Sequence, residues 1–276
     1  MGDAPIDVAA TGLVQFRACP YLFKCARLFG LAPLADPARG LGRSVHAALS
    51  AFHAPNAAHA HDAATLERLI GEHWDDRDFA YAPIAARYRL DARELIANYL
   101  KFHATRGAAL AVEQPFGLTI GGLTIRGRID AVFPTADGVE LVDFKTGRRV
   151  MSKAEAQRDL QLGVYLLALD RSEDLRHLGT PASAAYLFVG QITPQSKDRG
   201  LKARAAGAEE RAAVQAKVAR YERAIRRWEL PPKSAAAASR AGEDADDLES
   251  LRDTRACPGC DFRRVCPDWM PVRTGQ

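Results

Sequence analysis

Three β-rich runs separated by turn-forming residues, followed by a helix apolar on nearly every side, constrain this 276-residue chain more than any other feature. The runs cover residues 111–120, 123–133 and 139–145, broken by Gly121-Gly122 and by Pro134-Thr135-Ala136-Asp137-Gly138. Such breaks favour hairpins, so the three runs read as an antiparallel meander. A helix is expected over 154–170, and its stretch from Leu160 to Leu169 should lie buried against the sheet. Residues 184–191 read as a fourth strand. Helices are expected earlier, over 11–29, 42–52, 64–75 and 91–106, the last two polar enough to be surface or lid elements. A charged helix over 209–229 ends before Pro231-Pro232, and the Ala-, Ser-, Asp- and Glu-rich residues 233–256 read as a mobile linker. The fold class is α/β. The expected divisions are a helical N-terminal region (1–110), a mixed core (111–230), a flexible linker (231–256) and a cysteine-bearing tail (257–276).

Two aspartates interrupt the apolar strands. Asp130 lies in Ile125-Arg126-Gly127-Arg128-Ile129-Asp130-Ala131-Val132-Phe133, and Asp143 in Leu141-Val142-Asp143-Phe144-Lys145-Thr146-Gly147. A carboxylate placed among Val, Ile and Phe costs several kcal/mol unless something compensates it. A divalent cation is one such partner, and converging carboxylates suit Mg²⁺ or Mn²⁺. A buried Asp–Lys or Asp–Arg ion pair is the other. Strand alternation puts Asp143 and Lys145 on one face, and the preceding hairpin brings Asp130 opposite or diagonal to Asp143.

The five cysteines are grouped at the two ends: Cys19 and Cys25, then Cys257, Cys260 and Cys266. In a chain read as cytosolic this pattern points to a ligand set rather than disulfides. The C-x2-C-x5-C triplet supplies three thiolates, and Cys19 or Cys25 the fourth. Spacing alone does not separate zinc from iron–sulfur.

Four strings in order, Gly42-Arg43-Ser44-Val45-His46, Gly127-Arg128-Ile129-Asp130, Asp143-Phe144-Lys145-Thr146-Gly147 and Gln161-Leu162-Gly163-Val164-Tyr165, closely resemble the RecB-like branch of the PD-(D/E)XK nucleases. The resemblance implies a restriction-endonuclease-like αβββαβ core with an added N-terminal helical region and a cysteine-stapled tail. It also implies that His46, Asp130 and Asp143 bind Mg²⁺ or Mn²⁺, that Lys145 is the catalytic lysine, and that Gln161 and Tyr165 lie near the DNA. A cation there can lower the pKa of a bound water and neutralise phosphate charge. Lys145 can orient that water or stabilise the transition state. Cys19-Pro20-Tyr21 with the C-terminal triplet resembles the [4Fe–4S] staple of AddB-type and CRISPR-adaptation RecB-like nucleases. That likeness implies Cys19, Cys257, Cys260 and Cys266 as ligands, zinc being the alternative metal and Cys25 an ordinary buried thiol.

The expected function is therefore metal-dependent cleavage of single-stranded or end-exposed DNA. No G-x-x-x-x-G-K-[ST] string occurs, so unwinding would come from a helicase partner, and a CRISPR-adaptation protein is another candidate partner. A non-catalytic DNA-end-binding subunit and a zinc-stapled structural protein are the competing readings. Residues 197–229, with ten basic and five acidic side chains, suit either a polyanion or a solvated helix face. No apolar run approaches the roughly 20 residues that span a bilayer, and Met1-Gly2-Asp3-Ala4-Pro5 lacks a signal-peptide start. The expected location is the cytoplasm.

Overall fold

A computed structural model of the chain describes residues 6–33, 36–55, 57–192, 200–227, 229–239, 245–255 and 257–269. In chain order the strands and α-helices are β1 (Ile6–Ala9), α1 (Ala10–Ala18), α2 (Pro20–Phe23), α3 (Pro37–Phe52), α4 (Ala63–Glu72), α5 (Ala82–Arg106), β2 (Ala111–Ile120), β3 (Leu123–Thr135) and β4 (Gly138–Lys145). They continue with α6 (Lys153–Gln157), α7 (Leu160–Arg171), β5 (Pro181–Phe188), β6 (Leu201–Ala205), α8 (Ala208–Arg226), α9 (Lys233–Ser239) and α10 (Ala245–Arg252). The residues gather into two compact units. One comprises Met1–Leu34, Thr119–Arg126 and Ala213–Gln276, the other Ala35–Leu118 and Gly127–Ala212.

The larger unit, Ala35–Leu118 with Gly127–Ala212, carries a mixed sheet in the order β3-β4-β5-β6, with β2 also on β3. Strands β3 and β4 form the expected antiparallel hairpin, with Ala131 opposite Val142 and Thr135 opposite Gly138. Gly138 closes its turn at φ +136°, and a Cβ there would sit 2.3 Å from the Thr180 carbonyl oxygen; only glycine meets both conditions. Strand β5 runs parallel to β4, pairing Asp143 with Tyr186 and Lys145 with Phe188. This sheet has the α/β character of a restriction-endonuclease-like fold.

Helix α7 is buried along ten consecutive residues, Leu160–Leu169, as its composition requires. The expected single helix over 154–170 is two, because Asp159 stops one and caps the next. Its carboxylate accepts the Leu162 N–H at 3.0 Å, satisfying a donor that a helix start leaves free. Helix α5 is not a surface element. Leu95, Ile96, Tyr99 and Phe102 are buried in one core with Phe52, Phe133 and Phe144, so an apolar stripe hides within a polar sequence. The strand expected over 184–191 spans Pro181–Phe188 instead, and β6 was not anticipated.

In the smaller unit β1, also unanticipated, pairs in parallel with Leu123–Arg126 of β3. Phe16 of α1 and Tyr221 of α8 pack with ring centroids 5.0 Å apart. The stretch 233–256, expected to be a mobile linker, contains α9 and α10, while 240–244 and tail residues 270–276 lie outside the described residues. Asp247 explains why α10 is held. It is 1% exposed and accepts from Arg17 Nε (3.2 Å), Lys217 Nζ (3.2 Å) and Tyr221 OH (2.9 Å). Asp247→Ala is expected to cost about 3 kcal/mol, since buried Lys217 loses its counter-charge. Urea unfolding measures this, and an unchanged midpoint would show that α10 contributes nothing to the fold.

Candidate active site

Within the larger unit, α3, β3, β4 and α7 carry the residues singled out from the four sequence strings. The ligand atoms that lie within 4.8 Å of one another are those of His46, Asp130 and Glu113, without Asp143. Helix α3 starts at Asp36, whose side chain accepts the Ala38 N–H at 2.9 Å, with Pro37 in the first turn. Gly42 lets this helix come close to β4, since a Cβ there would lie 3.3 Å from Thr146 Oγ1. One turn later His46 reaches Asp130, with Nδ1 3.2 Å from Oδ2. The same Oδ2 accepts the Phe144 N–H at 2.7 Å. Continuing the hairpin register by one residue places Asp130 beside Asp143.

Asp143 is 4% exposed. Its Oδ1 accepts from Gln161 Nε2 (2.8 Å) and from Tyr165 OH (2.9 Å), and Gln161 Nε2 also donates to Tyr165 OH at 2.6 Å. Gln161 and Tyr165 act on one oxygen because they lie one turn apart on α7. Asp143 Oδ2 has no hydrogen-bond partner. Lys145 Nζ approaches it to 2.5 Å, a charge contact outside hydrogen-bonding directions. That ammonium also lies 4.6 Å from the centre of the Tyr186 ring.

The electrostatics call for further positive charge. Burial pushes the Asp143 carboxyl up, Lys145 pulls it down, and the negative charge of Asp130 raises it again, leaving it above the usual value. Burial lowers His46, yet its hydrogen bond to Asp130 and the charges of Asp130 and Asp143 outweigh that and raise it. Burial and the neighbouring Asp143 raise Tyr165, keeping its hydroxyl a donor. Two adjacent carboxylates, with an imidazole nitrogen 3.2 Å from one of them, are the donor chemistry that a hard divalent cation takes.

Three residues escaped the sequence reading. Tyr186 OH donates to Asp159 Oδ1 at 2.9 Å and lies 3.1 Å from Gln161 Oε1, its one proton shared between the two, which suits a glutamine amide with Nε2 facing Asp143. Asp159 falls inside the single helix expected over 154–170, and the structure makes it both the cap of α7 and a support for this network. Glu113 on β2 has ligand oxygen, with His46 and Asp130 ligand atoms, all within 4.8 Å of one another. Its φ of 49° places it alone among described non-glycine residues in the left-handed region, which costs about 1–2 kcal/mol. No periodicity marks such a residue.

The cysteines lie in the smaller unit. Cys19, Cys257, Cys260 and Cys266 line one cavity of about 540 Å³, together with Tyr21 and Trp269. Cys25 is buried and is not part of that lining. Cys19 caps α2, its sulfur accepting the Leu22 N–H at 3.4 Å. Tyr21 OH donates to the Val265 carbonyl at 2.7 Å, tying the N-terminal segment to the tail. Burial raises the thiols of Cys19 and Cys266.

The sequence profile of the PD-(D/E)XK nuclease superfamily matches residues 7–267. The chain belongs to that superfamily. PD-(D/E)XK nucleases use divalent metals and act on DNA. The chain is also similar to the Gene 69 protein of Mycobacterium phage L5, 32% identical over 94 residues. That match covers 34% of this chain and 27% of the phage protein, so it spans about a quarter of the relative's length. The crystal structure of SSO0001 aligns over 82% of this chain and 86% of its own, with a TM-score of 0.38 and 16% identity. Among the described residues, no helix is long and apolar enough to cross a membrane.

Proposed function

We propose that this PD-(D/E)XK protein is a Mg²⁺- or Mn²⁺-dependent deoxyribonuclease acting on single-stranded or end-exposed DNA. The observation that carries the reading is the buried Asp143 carboxylate standing beside Asp130 and paired with the Lys145 ammonium at 2.5 Å. His46, Asp130 and Asp143 would hold the cation. It supplies activation of water for attack on phosphorus and neutralisation of phosphate charge. Lys145 places an ammonium beside the reacting phosphate, where charge grows in the transition state. Gln161, oriented by Tyr186, and Tyr165 hold Asp143 in one rotamer. The site stands on strands and a buried helix, which suits the tight positioning that in-line attack demands.

We further assign a [4Fe–4S] cluster to Cys19, Cys257, Cys260 and Cys266. Four cysteines lining one cavity of about 540 Å³ support this assignment. Ligation closes a loop of more than 200 residues and holds the two ends of the chain together. Unwinding of duplex substrates would fall to a partner helicase or an adaptation complex, as the missing phosphate-loop string suggests.

Replacing Asp143 separates a metal ligand from a structural ion pair. A carboxyl raised in the folded state contributes stability below its unfolded value, near pH 4, and that contribution is lost as pH rises through the folded value. Metal-free Asp143→Asn is therefore expected to melt at or above the wild type at pH 7, because Asn keeps an acceptor for Gln161 and Tyr165. The same variant is expected to lose at least about tenfold in Mn²⁺ affinity. Calorimetry and thermal melts check both, and a variant that binds Mn²⁺ normally but melts far lower would make the carboxylate structural.

A further inference from the structure

Tyr186 belongs to none of the four strings, yet it stands between two of the side chains that they supply. Strand β5 sets it in register beside Asp143, so it shares a sheet face with Asp143 and Lys145. It is 4% exposed and so acts only through its neighbours. The Lys145 ammonium lies over the ring, 4.6 Å from its centre, within the range of a cation–π contact. The hydroxyl stands 2.9 Å from Asp159 Oδ1 and 3.1 Å from Gln161 Oε1. Asp159 also holds the start of α7 through the Leu162 N–H at 3.0 Å, so the hydroxyl is fixed to the helix that carries Gln161. Burial and the Asp159 charge push the phenol far up, and the group stays a donor.

We propose that Tyr186 is a positioning residue with two arms: its ring keeps the Lys145 ammonium at the site, and its hydroxyl keeps the Gln161 amide turned toward Asp143. This rests on the metal-dependent reading above. Lys145 needs a second partner because its first, the Asp143 carboxylate, also attracts the cation, and like charges there repel. Positive charge added at Asp143 would push the lysine side chain, 35% exposed, out toward water. The ring face attracts the ammonium without carrying charge, so it retains Lys145 at the site at some expense in cation affinity. The hydroxyl answers a different need. A glutamine amide has two ends of nearly one shape, and only the Nε2 end can donate to Asp143 Oδ1. A hydroxyl at Oε1 favours that orientation and leaves the buried amide oxygen partnered.

Single-turnover cleavage at saturating Mn²⁺, calorimetric titration with Mn²⁺ alone and metal-free melting temperatures test both arms. Tyr186→Phe keeps the ring and is expected to cut about tenfold more slowly, the scale of losing a supporting hydrogen bond behind a ligand. The half-saturating DNA concentration should not change, because the side chain is buried. Added to Gln161→Ala, Tyr186→Phe should cost nothing further, since the hydroxyl acts through that amide. Tyr186→Leu and Tyr186→Met remove the ring as well. Both are expected to cut about tenfold more slowly again, yet to bind Mn²⁺ at least as tightly as Tyr186→Phe. In a Lys145→Ala background the three variants should bind Mn²⁺ equally. Equal cleavage by the three Tyr186 variants, or Mn²⁺ affinity that falls when the ring is removed, would overturn the role of the ring. A full further loss on adding Tyr186→Phe to Gln161→Ala would overturn the role of the hydroxyl. Either result, with a wild type that binds Mn²⁺ and cuts, leaves the nuclease reading intact; a wild type that does neither overturns that reading and this proposal with it.

Discussion

Lys145→Ala is expected to lower DNA cleavage by about a thousandfold, while the protein stays folded and still binds Mn²⁺. The side chain is 35% exposed and contacts Asp143 Oδ2 at 2.5 Å and the face of Tyr186. Little packing is lost when it is shortened. What disappears is the ammonium beside the site where negative charge develops, and deleting one such stabilising group typically costs on the order of 10²–10³ in rate. Loss of Lys145 also leaves Asp143 facing Asp130 without its nearest positive charge, so its carboxyl should rise further. A bound cation offsets that rise, so Mn²⁺ affinity should change far less than in Asp143→Asn. Single-turnover cleavage at saturating Mn²⁺ makes the measurement. A Lys145→Ala preparation free of contaminating nuclease that cuts at the wild-type rate would end the assignment of this site as catalytic.

Iron content should fall to near zero in each of Cys19→Ser, Cys257→Ser, Cys260→Ser and Cys266→Ser, and should persist in Cys25→Ser. The four line one cavity and Cys25 does not, although Cys25 is as far from the triplet in sequence as Cys19 is. Loss of a ligand should also loosen the attachment of the tail, now carried by Tyr21 to Val265 and by Ser234, whose N–H and hydroxyl donate to Asp268 at 3.0 and 2.6 Å. A loss of about 3 kcal/mol lowers the melting temperature of a chain this size by roughly 5 °C. Anaerobic purification, the visible absorption of the protein and metal analysis distinguish the outcomes. A colourless wild type with one equivalent of zinc would replace the cluster by a zinc site, and bleaching in Cys25→Ser alone would move the fourth ligand.

The hairpin, the D-x-K strand face and the buried helix were legible because each obeys a local period. Alternation and a turn put Asp130, Asp143 and Lys145 together but left a buried ion pair open, and Gln161 and Tyr165 were singled out by the resemblance, helix spacing saying only that they share a face. What escaped depends on distant partners. Strand β1 is four residues long and defined by its pairing with Leu123–Arg126. Helix α5 looks polar because its buried face is one stripe of a 25-residue helix. The 233–256 stretch carries the composition of a linker, but one buried aspartate, Asp247, meets Arg17 and Lys217 from far away in the chain. Glu113 is a local exception of another kind. Its backbone φ of 49° departs from the ordinary alternation to which a strand pattern assigns it.

The most direct measurement is cleavage of end-labelled single- and double-stranded DNA by the anaerobically purified wild-type protein, with Mn²⁺ and with a chelator, alongside Asp143→Asn. The expected result is Mn²⁺-dependent shortening of the DNA that the chelator stops and that Asp143→Asn lacks at equal protein concentration. Cleavage that continues in the chelator, or that survives unchanged in Asp143→Asn, would contradict metal-dependent catalysis at His46, Asp130, Asp143 and Lys145.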